Sequence, residues 1–158
     1  MKELNTIGLD QEKAENLAKK LNTLLSNYSI FYQNTRGFHW NIQGDKFFEL
    51  HLKFEEIYND LLLKIDEIAE RILTLGYTPE HRYTEYSKSS TIKESDKVTD
   101  GHTAVAQILD SLKIVIVMQR AIFELANDAH DEGTNALMSD YICFQEKQIW
   151  MYSSFLNK

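Results

Sequence analysis

The sequence predicts an all-α chain, four long helices packed as one bundle with a single long connection between the second and the third. Three observations carry that reading. Apolar residues recur at i, i+3, i+4 spacing through four long stretches. The six glycines and the lone proline, Gly8, Gly37, Gly44, Gly76, Gly101, Gly133 and Pro79, fall at or between the ends of those stretches. The chain has 158 residues, 43% of them hydrophobic, which suits one domain with a real core.

The first helix is expected over residues 10–38, ending at Gly37 or just past it, with Ala14, Leu17, Ala18, Leu21, Leu24, Leu25, Tyr28 and Phe31 on its buried face. A turn over residues 41–44 precedes the second helix, residues 45–75, with Asp45 as its expected N-cap. Taking His51 as zero and about 100° per residue, Phe47, Leu50, Phe54, Ile57, Tyr58, Leu61, Ile65, Ile68 and Ile72 fall at about 240° to 340°, a core-facing stripe. Lys53, Glu56, Asp60, Lys64, Glu67 and Arg71 fall at about 140° to 220° and are expected to face solvent. The connection, residues 76–98, lets the third helix start from the far end of the bundle, and within it residues 81–88 are expected as a short helix that covers part of a partner subunit. The third and fourth long helices are expected over residues 99–129 and 131–156, each opening on capping residues.

Several classes of function are disfavoured at once. The longest apolar run, residues 114–118, is far too short to span a membrane, and residues 1–13 do not have the pattern of a signal peptide. A lone cysteine, Cys143, cannot form an internal disulfide and agrees with a reducing cytosol, so a cytoplasmic location is expected. Flanked by Ile142 and Phe144, it reads as a buried, inert thiol. The formal charge of -7 disfavours unaided nucleic-acid binding and suits a protein that attracts cations.

Five potential metal ligands are concentrated in one region: His39, His51, Glu55, Asp66 and Glu70. On the second helix Glu55 lies about 40°, Asp66 about 60° and Glu70 about 100° from His51, so the four share a face that is neither the core stripe nor the charged one. Phe48, Leu62 and Ala69 are mixed among them. A third, half-apolar face of this kind points to another subunit. His51 and Glu70 are about 28 Å apart along the axis, whereas a metal ligand reaches only about 2 Å, so one copy of the helix cannot close the site. Two copies crossing antiparallel on a twofold axis bring His51 of one to Asp66 and Glu70 of the other and make two identical sites.

The runs Gly37-Phe38-His39-Trp40-Asn41, Leu50-His51, Phe54-Glu55 and Ile65-Asp66-Glu67-Ile68-Ala69-Glu70-Arg71 resemble the signature of the Dps proteins, the ferritin-like mini-ferritins. The resemblance spans essentially the whole chain, including the long crossover and the segment Glu146-Lys147-Gln148-Ile149-Trp150-Met151. It implies a ferritin-like four-helix bundle assembled as a hollow dodecamer, with iron sites at twofold interfaces. It further implies ferroxidase activity, oxidation of ferrous iron with hydrogen peroxide preferred, and storage of the ferric mineral. On the family pattern His39 and His51 of one subunit face Asp66 and Glu70 of its mate, and Glu55, where the family has Asp or Glu, binds directly or through water. The resemblance also makes Trp40 an electron donor near the site; as plain packing it would be a core or interface aromatic. Asp128, Asp131 and Glu132 would border acidic iron-entry pores, although Ala136 stands where the family is often acidic and a solvated loop is an equal reading.

Competing readings leave their own marks. Ferritin-type centres inside one bundle use Glu-x-x-His pairs, and no glutamate here has a histidine three places later. Direct DNA compaction usually needs a mobile basic tail, whereas the first nine residues carry one Lys and one Glu, and a shell of twelve chains would carry roughly -84 in formal charge. A structural salt-bridge network among the five residues is the plainest alternative. His81, His102 and His130 read as surface or crossover residues, and Trp150 as packing.

Overall fold

The computed structural model describes residues 1–158 and contains five helices and no strand beyond an isolated bridge between Leu4 and Asp10. They are α1 (Gln11–Asn41), α2 (Phe47–Thr74), α3 (Tyr83–Ser89), α4 (Gly101–Asp128) and α5 (Glu132–Phe155). Helices α1 and α2 form one antiparallel pair and α4 and α5 another, with α1 also packed on α4 and on the short α3. Aspartates 10, 100 and 131 cap α1, α4 and α5, each carboxylate accepting from a backbone N–H three residues on.

The expected core stripes meet in the middle. Leu17, Leu21, Leu24, Leu25, Tyr28 and Phe31 of α1 are buried against Phe54, Leu61, Ile68 and Ile72 of α2 and the apolar faces of α4 and α5. At the centre lies a closed polar ring: Tyr28 Oη donates to Gln119 Oε1 (2.5 Å), Gln119 Nε2 to Gln145 Oε1 (2.6 Å), and Gln145 Nε2 back to Tyr28 Oη (2.7 Å). Every member is buried, neutral and satisfied, and burial pushes the Tyr28 hydroxyl far above its ordinary pKa.

Helix ends differ from expectation at two informative places. Helix α1 continues past Gly37 to Asn41, where the Asn41 amide donates to the Gly37 carbonyl (2.9 Å), so His39 lies on regular helix. Helix α2 begins at Phe47 after a turn in which Gly44 has φ +104°, and Asp45 does not cap it. The remaining ends agree within two residues.

The charged face of α2 faces solvent at Lys53, Glu56 and Glu67, as expected, but not at Lys64 and only partly at Asp60 and Arg71. Lys64 is buried, paired with Asp60 (2.6 Å), and lies over the rings of Tyr141 and Phe144. Glu67 accepts from the Tyr141 hydroxyl (3.2 Å), and Arg71 binds both Asp131 (2.6 Å) and Thr134 (2.9 Å). This face is the polar seam to α5; periodicity identifies a charged stripe but not the neighbour that covers it. Cys143 is exposed on α5, contrary to the buried thiol expected from its flanks. Trp150 is 64% exposed, so it is not packed within its own chain, and the 57% exposed Trp40 is no core residue. Asp131 is 2% exposed and committed to Arg71 and to capping α5, which removes it from any pore.

Three asparagines of α1 fasten the long crossover. Asn22 bonds Glu80 N and the Thr78 carbonyl, Asn27 Oδ1 accepts from Ser90, Thr91 and Ile92, and Asn34 bonds Ser95 N and the Lys93 carbonyl. Asn27 is fully buried. Asn27→Ala is expected to strand those donors and destabilise the fold by about 2 kcal/mol, read as a lowered denaturant midpoint, with protease cutting near residues 90–95 as the local signature.

Candidate metal centre

The end of α1 and the start of α2 bring His39 and His51 into a reciprocal arrangement. Their rings stack with centroids 3.8 Å apart at 14°. Nδ1 of His39 lies 2.6 Å from the carbonyl oxygen of His51, and Nδ1 of His51 lies 2.7 Å from the carbonyl oxygen of His39. A carbonyl only accepts, so each Nδ1 carries the proton, and each neutral ring is left with its Nε2 lone pair free. That is the outer-shell bond that orients an imidazole for a metal. Phe47 stacks on His51 at 5.0 Å, and Tyr58 meets His39 edge-on at 5.3 Å. His39 is buried and His51 half-buried.

The carboxylates do not join them within one chain. Glu55 lies one turn beyond His51 on the same face of α2 and is half-buried, whereas Asp66 and Glu70 lie far along the helix and are exposed. No group of three or more His, Cys, Asp or Glu side chains gathers closely enough to hold a metal. The six acids of α2 from Glu55 onward fall into two populations. Glu56, Asp60 and Glu67 each have a partner, Lys53, Lys64 and Tyr141 respectively. Glu55, Asp66 and Glu70 pair with no cation of their own chain.

Exposed apolar side chains surround those free carboxylates. Phe48 (80% exposed) and Leu62, expected on this face, are joined by Leu52, Leu63 (66%) and Leu73. A contiguous apolar strip of this kind marks a surface that another molecule covers. Tyr58, which belongs to the core stripe by periodicity, and Phe47 are the contacts of the histidine pair that the sequence leaves unassigned to the site. Their aromatic character and helical spacing are the only signal for them. The mutual carbonyl bonds depend on the angle between two helices and leave no trace in the sequence.

Among known proteins, the Ferritin-like domain family matches residues 18–158. The chain is 42% identical over 155 residues to the DNA protection during starvation protein of Porphyromonas gingivalis, covering 98% of both chains. The chain belongs to the Dps family of ferritin-like proteins. The crystal structure of a Dps protein from Vibrio cholerae O1, described as a member of a broad superfamily of ferritin-like diiron-carboxylate proteins, superposes with a TM-score of 0.96 at 55% identity, covering 97% of this chain and 96% of that one. Dps from Staphylococcus aureus gives 0.86 at 31% identity, over 90% and 95%. The all-α, ferritin-like architecture is therefore that of the Dps family, and its superfamily places the chain among iron-handling proteins.

Within the Dps bundle of this chain the centre is neutral. The ring of Tyr28, Gln119 and Gln145 fills the space between the helices where ferritin-like diiron proteins project carboxylates inward. The free donors lie instead on the outside of the α1–α2 pair. Histidine labelled with 15N in the metal-free protein is expected to report the Nδ1–H tautomer for both neutral rings. An Nε2–H signal from either would break the reciprocal arrangement.

Proposed function

We propose that this protein is a ferroxidase and iron store, with ferrous iron bound at twofold interfaces of a dodecamer by His39 and His51 of one subunit and Asp66 and Glu70 of another. Glu55 serves as an additional ligand, directly or through water. The observation that carries this reading is the pair of imidazoles, one on α1 and one on α2, with Nδ1 committed to carbonyls and Nε2 free, beside a face of α2 whose Glu55, Asp66 and Glu70 have no cation partner in their own chain. Two imidazoles with carboxylate donors and open positions are a donor set suited to ferrous iron. Carboxylates keep the ion as its charge rises, which makes Asp66 and Glu70 the main anchors.

The oxidant in this reading is hydrogen peroxide. Each peroxide takes one electron from each of two ferrous ions and, with two protons, leaves as water, so no free hydroxyl radical is released. The ferric product hydrolyses and mineralises within the shell. The residues that hold the ion do not carry the fold: Asp66 and Glu70 are exposed and make no side-chain contact that their own chain needs. Asp66→Asn with Glu70→Gln is accordingly expected to fold as the parent does while slowing peroxide-dependent iron oxidation at least tenfold, read as ferric absorbance after anaerobic ferrous loading. Unchanged oxidation would return these residues to a structural role.

Protection of DNA is proposed to be chemical, by removing iron and peroxide, in the cytoplasm. The rival reading is direct DNA binding. The N-terminal arm is folded back onto the body: Asn5 Oδ1 accepts from Ile7 N and Leu9 N, Asn5 Nδ2 donates to the Leu75 carbonyl at the end of α2, and Lys2 pairs with Asp10. Held there, with its one lysine paired to Asp10 and a chain charge of -7, this arm presents little positive charge to phosphate. Plasmid mobility on a gel at neutral pH and low salt is expected to be unchanged by the assembled protein; a salt-sensitive shift would favour direct binding.

A further inference from the structure

Arg36 lies one turn before His39 on α1, in an aromatic cradle. Its guanidinium carbon is 4.8 Å from the ring centre of Trp40, 5.6 Å from Tyr32 and 5.9 Å from Tyr58. The rings engage the faces of the guanidinium, and the N–H donors lie along its edge. No carboxylate of the same chain pairs with it. In a chain with 24 acidic against 17 basic residues, a half-buried cation without an ionic partner is unusual. Arg36 also lines a groove of about 810 Å³ with Trp40, Leu62, Ile65 and Tyr83, and the carboxylates of the groove itself, Glu94 and Asp96, form no ion pair with it.

Two populations of unpaired charge therefore border one uncovered apolar face: the Arg36 cation and the free acids of α2. Within a chain Arg36 cannot meet Asp66 or Glu70, and it forms no ion pair with Glu55. Arg36 sits at the level of Tyr58 on α2, and Asp66 is eight residues, about 12 Å, further along the axis. The antiparallel register that sets His51 opposite the stretch from Asp66 to Glu70 sets the Tyr58 level opposite the residues just before Asp66 in a second copy. Asp66 is then the first free carboxylate reached, with Glu70 a further turn, about 6 Å, away.

We infer that Arg36 is a positioning residue of the shared site, its guanidinium gripping the Asp66 carboxylate of a second copy of this chain. This rests on the twofold reading of the site proposed above. An arginine keeps its charge at every accessible pH, so it holds the carboxylate in place before iron arrives and competes with the incoming ion for it. Its removal therefore has opposite effects on two quantities. The metal-free assembly loses a charged contact, and the vacated carboxylate binds ferrous iron more tightly. An Arg36 that only packs on its aromatic neighbours would weaken both together.

The test is a double-mutant cycle on the metal-free full-length protein, Arg36→Gln with Asp66→Asn, reading the subunit association constant by dilution at low salt. The single changes are each expected to weaken association about tenfold and the double change no further than either, with Arg36→Lys recovering much of the loss. Anaerobic titration with ferrous ion is expected to show tighter binding in Arg36→Gln than in the parent. Additive losses in the cycle would overturn the inference, as would weaker ferrous binding in Arg36→Gln. If the parent bound no ferrous ion, the function proposed above would fall while the metal-free cycle still decided whether Arg36 and Asp66 meet across the interface.

Discussion

A straight helix separates His51 from Glu70 by about 28 Å, and no packing of one chain reverses that rise. The rest of the arrangement follows from this constraint. Ligands that share a face of α2 but not a level can converge only if a second α2 passes alongside, so a function that needs all of them needs an assembly. The fold does for one chain only what local geometry permits. It clamps the two histidines to each other's backbone where α1 turns into α2, fixing half of a donor set with its Nε2 atoms free. In the proposed site, prior orientation of this half would let assembly supply carboxylates to nitrogen donors that are already in place.

Moving the donors to the outer face leaves the bundle interior to packing. Where tyrosine and glutamine meet at the centre of the bundle, the ring of Tyr28, Gln119 and Gln145 satisfies itself. A neutral, closed ring avoids the cost of isolated buried charge and adds directional bonds between α1, α4 and α5. The charges that do approach the interior, Lys64, Arg71 and Asp131, are all paired along the α2–α5 seam. At the α5 end of that seam Arg71 approaches so closely that a Cβ on Gly133 would lie 2.6 Å from its guanidinium nitrogen, so a larger residue there would have to displace the end of the Arg71 side chain.

Much of this was legible in the sequence because it is periodic. Core stripes, the number of helices, the crossover and the common face of His51, Glu55, Asp66 and Glu70 all follow from angles along single helices. The sequence was silent wherever the outcome depends on how two helices meet. Periodicity could mark Lys64, Glu67 and Arg71 as a charged stripe but could not say that α5 covers it. It put Tyr58 in the core stripe and could not show its edge against His39. Nothing in the sequence marks the asparagines at 22, 27 and 34, because the crossover backbone that they bind is distant in sequence. Cys143 and Trp150 show the same limit from the other side, since apolar neighbours along a helix do not establish that a residue is buried in its own chain.

The division of acids on α2 connects these observations to function. Glu56, Asp60 and Glu67 have partners that satisfy them within the chain, whereas Glu55, Asp66 and Glu70 do not. A satisfied carboxylate gives up a partner to bind a cation; an unsatisfied one gives up only water. On one helix, then, the chain presents acids of the same types with different availability to metal, separated by about a quarter turn of rotation. The apolar side chains between the free acids remove water when a second copy covers them, and exclusion of water strengthens every remaining electrostatic contact there. In the proposed assembly, association and cation affinity would be products of one surface: the exposed Phe48, Leu52, Leu62 and Leu63 would supply the apolar contact, and the free carboxylates would bind a cation more strongly because that contact dries the space around them.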